Sequence, residues 1–285
     1  MSCTIAPALP AEQIHDRSPV SHTYPWHLPR WIRTAALRWL SEVHDQSWCP
    51  AGIRDGIREV LGSIPLDDPL VVDALAGLLE RNRHSQIVDC CAGTGGVWRQ
   101  LLPAVRCQHA DVKVTLTDLF PPDESQVPDL PGLHVDPSPR DALTLSAAVP
   151  GVRTWLRCFH HLSPAQRQQA LASAVTARQP VLVVESTLPT WWNLLLNLVL
   201  LLVVPLRAVK QVRRHPWRML FSTLLPVIPL LMTWDALVSV FKTDCVASLH
   251  DLVTRLDVVG YRWRVCTGRC APTTGHMLLL IGEPQ

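Results

Sequence analysis

The run Asp89-Cys90-Cys91-Ala92-Gly93-Thr94-Gly95-Gly96 ends an apolar segment with an acid and follows it at once with glycines. Backbone N–H groups in such a turn, with the start of the helix behind it, form an anion-binding concavity. A second acid, Asp118, ends the next apolar run, VKVTLT, and stands 23 residues beyond Gly95. That is the spacing of a carboxylate that accepts the hydroxyls of a ribose. Two rival chemistries fail on particular residues. A dinucleotide fingerprint needs its third glycine where Trp98 stands, and a phosphate-cradling P-loop needs a lysine that is missing after the second glycine. Taken alone, the turn also fits an unrelated α/β corner.

Four other groups of residues could do chemistry. His160 and His161 follow an apolar run, and a histidine there can remove a proton from a nitrogen or oxygen nucleophile. The bland alternative is a helix cap or packing against a sheet. Glu42, Asp45 and Trp48 lie in an N-terminal region able to close over such a site, where Trp48 either stacks on a ligand or plugs a hydrophobic gap. Asp235 directly follows Trp234 and an oily run. A carboxylate there is costly to bury unless paired, with Arg153 or a backbone N–H as the expected partner. Cys266, Cys270 and His276 do not have a usual zinc spacing, so no metal site is expected.

The elements that position these residues follow from periodicity and from start and stop signals. Helices are expected over 31–43, 53–61, 67–82, 97–104 and 163–177, and strands over 86–90, 112–117, 133–135, within 151–159, and over 180–185. Residues 261–266 and 277–281 read as a terminal antiparallel pair. Strands alternating with helices imply a largely parallel sheet covered on both faces.

Composition bounds the function. The 285 residues are 48% hydrophobic and 18% charged, too apolar for a disordered chain, and the net charge of +2 gives no basic excess for nucleic acid. Nine cysteines without a CxxC do not read as a secreted disulfide framework, and the first residues show no signal peptide. The expected location is the cytoplasm, with a peripheral position on the inner face of the membrane as a further reading. Eleven tryptophans against two tyrosines suit a greasy cleft or a membrane edge.

The ordered set ExxDxxWxP (Glu42 to Pro50), DxCAGTGG (Asp89 to Gly96), TLTDLFP (Thr115 to Pro121), GVRT (Gly151 to Thr154), FHHLSP (Phe159 to Pro164) and LLPVIPLLMTWDALVS (Leu224 to Ser239) resembles class I S-adenosylmethionine-dependent methyltransferases, in particular a little-characterised bacterial subfamily. The resemblance covers roughly 39–284. It implies an α/β, Rossmann-like seven-stranded methyltransferase sheet, mostly parallel with the last strand antiparallel, N-terminal helices and a hydrophobic helical insertion. The expected organisation is an N-terminal helical region or lid (1–84), a cofactor-binding core (85–190), the insertion (191–258) and the final strands (259–285).

The same resemblance implies S-adenosyl-L-methionine as cofactor. Its contacts would be Asp89 to the ammonium group, Asp118 to the ribose and Asp141, in competition with Asp136, to the adenine, with Cys91, Gly93, Gly95, Leu119, Ala142 and Phe159 beside them. Cys91 departs from the superfamily, where glycine is usual, and Ser47, Cys49 and Ala236 also depart from the subfamily pattern. The implied function is methyl transfer to a hydrophobic small-molecule or lipid-like acceptor in bacterial secondary metabolism. His160 and His161 would be catalytic, and Glu42, Asp45, Trp48 and Asp235 would face the substrate. A non-methylation reaction on the same scaffold, such as a cyclisation, and a non-catalytic membrane-surface protein remain alternatives.

The insertion carries two 16-residue apolar runs, 191–206 and 219–234, around a basic stretch with Arg207, Lys210, Arg213, Arg214 and Arg218. A spanning helix needs about 20 apolar residues. Asn193, Asn197 and prolines interrupt the runs, and a hairpin through the bilayer would export five basic residues. A lid over a hydrophobic pocket, an interfacial element with Trp191, Trp192, Trp217 and Trp234 at the boundary, and an ordinary buried subdomain all stay open.

Overall fold

In the computed structural model the described residues are 32, 42–44, 46, 48–62, 64, 66–145, 149–186, 188–191, 194–195, 227–256, 259–269 and 276–285. Asp45, Cys270, most of the first expected helix and the centre of the insertion lie outside them.

Among the described residues, helices α1 (Ala51–Gly62) and α2 (Pro69–Asn82) precede the sheet. Asp68 caps α2 by accepting the Leu70 N–H at 2.9 Å, Pro69 opens the helix, and Arg83 closes it in the left-handed region at φ 54°. Strand β1 (Gln86–Cys90) leads through the glycine turn into α3 (Trp98–Arg106), and β2 (Lys113–Thr117) and β3 (Leu133–Val135) complete one half of the sheet. The other half begins with β4 (Val152–Leu156), a short 3-10 turn (Phe159–His161), α4 (Pro164–Thr176) and β5 (Val181–Glu185). Ser163 and Gln166 form a reciprocal capping box at the start of α4. Helices α5 (Val227–Lys242) and α6 (Val246–Leu256) then lead to β6 (Tyr261–Arg269) and β7 (His276–Pro284).

The seven strands lie in the order β3-β2-β1-β4-β5-β7-β6. Pairs among β1 to β5 are parallel, whereas β7 is antiparallel to both β5 and β6. The alternation of a pleated strand sends successive residues to opposite faces. Ile87, Leu182, Val184, Leu279 and Ile281 pack with α2 and α3 on one face; Val88, Val181, Val183, Leu278 and Leu280 pack with α4 and α6 on the other. All the parallel strands therefore present their carboxyl ends along one edge, where ligands bind in open α/β sheets.

Gly96 fixes how α1 meets this edge. A Cβ there would sit 2.7 Å from both the Cα and the carbonyl oxygen of Gly62, the last residue of α1. Backbone cannot swing aside as a flexible side chain can. Gly96→Ala is expected to destabilise the protein by about 1–3 kcal/mol, the usual cost of overpacking, read as a lower melting temperature.

Candidate active site

At the end of β1 the chain turns through three left-handed residues: Cys91 at φ 55°, Gly93 at φ 54° and Gly95 at φ 66°. The turn is stitched to β2 by the Ala92 N–H, which donates to the Thr117 carbonyl at 3.1 Å. A Cβ on Gly95 would push the Leu116 side chain aside at 2.3 Å, and the left-handed backbone at φ 66° favours glycine there. A Cβ on Gly93 would touch the Arg58 side chain at 3.7 Å, an ordinary van der Waals contact, so space does not dictate glycine there and its left-handed backbone does. The Cys91 departure lies on a backbone conformation that glycine adopts without strain, which gives a physical reason for glycine at this place.

Asp118 ends β2 over this turn. One carboxylate oxygen accepts the Gly93 N–H at 2.8 Å, and the other accepts the Phe120 N–H at 2.8 Å with Arg58 at 3.4 Å. Each oxygen of an ionised carboxylate has two acceptor sites, so the oxygen that takes the Gly93 N–H keeps one for a further donor. Leu119 and Phe120 are exposed beside it. Asp89, expected to reach a ligand's ammonium group, is instead turned inward and buried. Its oxygens accept Trp98 Nε1–H and the Thr154 hydroxyl, both at 2.7 Å. Burial, chiefly, pushes its pKa up to about 7. Trp98, the residue that broke the dinucleotide fingerprint, is thus the partner of the strand-end acid.

A second group gathers at the carboxyl ends of β4 and β5. The His160 Nδ1 lies 2.8 Å from a Glu185 carboxylate oxygen, and the other oxygen accepts the His160 backbone N–H at 2.9 Å. The His161 Nδ1 pairs closely with Glu42, and the His160 Nε2 lies 3.8 Å from the same carboxylate. Glu42 is fully buried, accepts the Ser239 hydroxyl at 3.1 Å and faces Lys242 at 3.7 Å. Burial alone would raise the Glu42 carboxyl, but His161, then His160 and Lys242, hold it well below the usual carboxylate range. Glu185 is likewise lowered, since His160 outweighs the effect of burial.

Asp235 joins the same region from α5. It accepts the Val43 N–H at 2.6 Å and pairs with the His44 Nδ1 at 2.6 Å, and the His44 ring meets His161 edge-on at 5.2 Å. The expected backbone partner is therefore present, whereas Arg153 lies elsewhere and reaches Ser173 at 3.3 Å. Two arginines hold the pieces in place. Arg54 donates to the carbonyls of His44, Gln46 and Cys49, which ties the N-terminal loop to α1. Buried Arg167 donates to the carbonyls of Phe159, His160 and Lys242 and to Asp244 at 2.6 Å, which ties the histidine turn to the end of α5. The Cys158 thiol reaches the Cys90 carbonyl at 3.3 Å and links the histidine turn to the end of β1.

The remaining expected residues fall in mixed places. Phe159 is buried in the core against Trp155, away from any open face. Ala142 is buried, and Asp141 is exposed, accepting the Leu143 N–H at 2.9 Å. Asp136 accepts from Ser138 and from Arg140, at 2.7 Å for the arginine. Trp48 is 69% exposed, so it plugs nothing. Sequence reasoning missed Glu185, His44, Arg58, Trp98, Ser239 and Lys242. Of these, Glu185 carried a legible signal, because it is an acid ending an apolar strand just as Asp89 does.

No family model and no curated protein matches the chain. Among solved structures it is similar to the plantazolicin methyltransferase BpumL in complex with SAH, at 11% identity and a TM-score of 0.49, covering 86% of this chain and 95% of that one. It is also similar to the mitomycin 7-O-methyltransferase MmcR, at 13% identity and a TM-score of 0.44, covering 92% and 69%. A third is the O-methyltransferase NcsB1 from neocarzinostatin biosynthesis in complex with SAM and a naphthoic acid, at 16% identity and a TM-score of 0.40; the match covers 77% of this chain and 53% of that longer one. The strand order, with β7 alone antiparallel to its neighbours, is that of a Rossmann-like seven-stranded mixed sheet. Among the described residues, no helix is long and apolar enough to cross a membrane.

Proposed function

We propose that the protein binds S-adenosylmethionine at the β1–β2 edge and transfers its methyl group to a hydrophobic small-molecule or lipid-like acceptor, in bacterial secondary metabolism. The observation that carries this reading is Asp118, a strand-end carboxylate that accepts the Gly93 N–H over the glycine turn and keeps one acceptor site. The residues fit the cofactor: Asp118 would hold the ribose diol, and the turn from Cys91 to Gly95 the methionine end. Leu119 lies beside the nucleoside, and Asp141 with Ala142 serves the adenine side. Asp89 acts through Trp98 and Thr154, by holding the base of the turn. When bound, the cofactor supplies an electrophilic sulfonium methyl.

Methyl transfer of this kind depends on alignment and on keeping water out. Glu42, Asp235, His160 and His161 form the acceptor end of the site, where the nucleophile is oriented and gives up its proton. His161, a fifth exposed, is the more accessible of the two histidines, and Glu42 fixes its ring. The exposed apolar residues Trp48, Trp191, Leu195, Leu230 and Trp234 support a greasy acceptor and a peripheral position on the inner face of the membrane. Asp45, next to His44 in the sequence, completes the proposed acceptor-facing set.

Calorimetric titration tests the reading. Wild-type protein should bind S-adenosylmethionine, and Asp118→Ala should weaken binding by roughly 10–100-fold, the effect of losing a hydrogen-bonded charged acceptor worth about 1.5–3 kcal/mol. No binding by wild type, or equal binding by the variant, sinks it. Turnover without release of S-adenosylhomocysteine would replace methyl transfer with a cyclisation-type reaction.

A further inference from the structure

We propose that Glu42, His160 and His161 form a binding site for one divalent first-row transition-metal ion. The Glu42 carboxylate and one ring nitrogen from each histidine lie within 4.8 Å of one another, all within the buried or half-buried edge of the sheet. Two imidazoles and one carboxylate on one side of an ion leave its remaining positions open, the donor set of zinc hydrolases and non-haem iron sites. The nitrogens and oxygen need approach a single centre only to about 2.0–2.2 Å.

The surroundings of the three ligands are built as a metal site requires. A ligating histidine nearly always gives its other ring N–H to a carboxylate, which fixes the tautomer and raises the basicity of the ligand nitrogen. Glu185 is placed to do this, 2.8 Å from the His160 Nδ1, and leaves Nε2 facing Glu42. Its second oxygen pins the His160 backbone N–H, so ring and main chain are fixed together. Arg167 clamps the same turn to the last residue of α5 through three carbonyls.

A fully buried carboxylate demands positive charge nearby. Lys242, 3.7 Å from Glu42, supplies part of that charge, and its side chain is a fifth exposed. A divalent ion would displace it. The two histidines come from one turn of the sheet edge and Glu42 from a loop far earlier in the chain, so the ion would also join the N-terminal region to the core. Its role rests on the methyl-transfer reading: an acceptor hydroxyl placed on an open position would lose its proton more easily, as metal-bound water does. Binding of the ion does not depend on that reading.

The test uses the full chain, stripped with a chelator and titrated with Co²⁺ and Zn²⁺ by calorimetry and visible spectroscopy. One equivalent of Co²⁺ should bind and give d–d bands without the near-ultraviolet charge-transfer band of a thiolate ligand. Glu42→Gln and His161→Gln should abolish this site, and Glu185→Gln should weaken it by about 10–100-fold. Should a ligand variant fail to fold by circular dichroism, Lys242→Gln decides, because removing the competing cation should tighten binding. Thiolate bands, binding indifferent to Glu42 and His161, no binding, or an unchanged affinity in Lys242→Gln overturn the proposal. Metal bound in a protein that ignores S-adenosylmethionine would uphold this inference and sink the methyl-transfer reading; the reverse result would do the opposite.

Discussion

Replacing His161 by glutamine should lower turnover by roughly 10²–10⁴-fold, the contribution typical of a positioned group that handles a proton, while cofactor affinity stays nearly unchanged. The separation follows from the architecture. Cofactor contacts are proposed on the β1 and β2 ends, whereas His161 faces Glu42, which comes from the N-terminal loop and is flanked by Ser239 and Lys242 of α5. Glu42→Gln should act in the same direction, and the double variant should be little worse than either single one, because residues that work as a unit lose their effect together. S-adenosylhomocysteine release with an extract as acceptor source, cofactor titration and melting temperature would be measured on the same preparations. A purely packing role predicts a lower melting temperature with normal turnover in the folded fraction. Wild-type turnover in both single variants ends the case for the cluster as reaction centre.

The reason the fold was legible and this cluster was not is physical. Strand and helix signals are local. Pro69 behind two aspartates, Ser163-Pro164 with Gln166, and the apolar runs 86–90 and 181–185 each specify their own element, and the structure sets them within a residue or two of the expected bounds. The glycine turn was legible for the same reason, since left-handed backbone leaves a mark on residue type. The histidine pair was also visible. That it meets Glu42, Glu185, Ser239 and Lys242 was not, because they come from three separate places, the N-terminal loop, β5 and α5, and no spacing rule joins them.

Asp89 illustrates the opposite error. Its place at a strand end suggested a ligand contact, but the bulky Trp98 that replaces the third glycine folds back and takes one of its oxygens. Thr154, across the β1–β4 pairing at the register partner of Asp89, takes the other. Residue type and position alone could not show which way the carboxylate turns.

That inward turn has a consequence for stability. The Asp89 pKa rises from an ordinary 3.8 to about 7 on folding, chiefly because burial disfavours the anion. Between these values the folded protein holds a proton that the unfolded chain has released, so stability must fall as pH rises through that window and level off above it. Each pKa unit is worth about 1.4 kcal/mol, so the full span is on the order of a few kcal/mol. Asp89→Asn carries no such proton. Its amide oxygen can accept from Trp98 and its NH₂ can meet Thr154, so the variant should match or exceed wild-type stability near neutral pH and lose the slope. Taking the difference between the two proteins cancels the titration of groups outside this pair. Urea unfolding at several values from pH 5 to pH 8 reads it directly. Parallel stability curves for the two proteins would mean that Asp89 is ionised in the folded state, with Trp98 and Thr154 holding it as an anion.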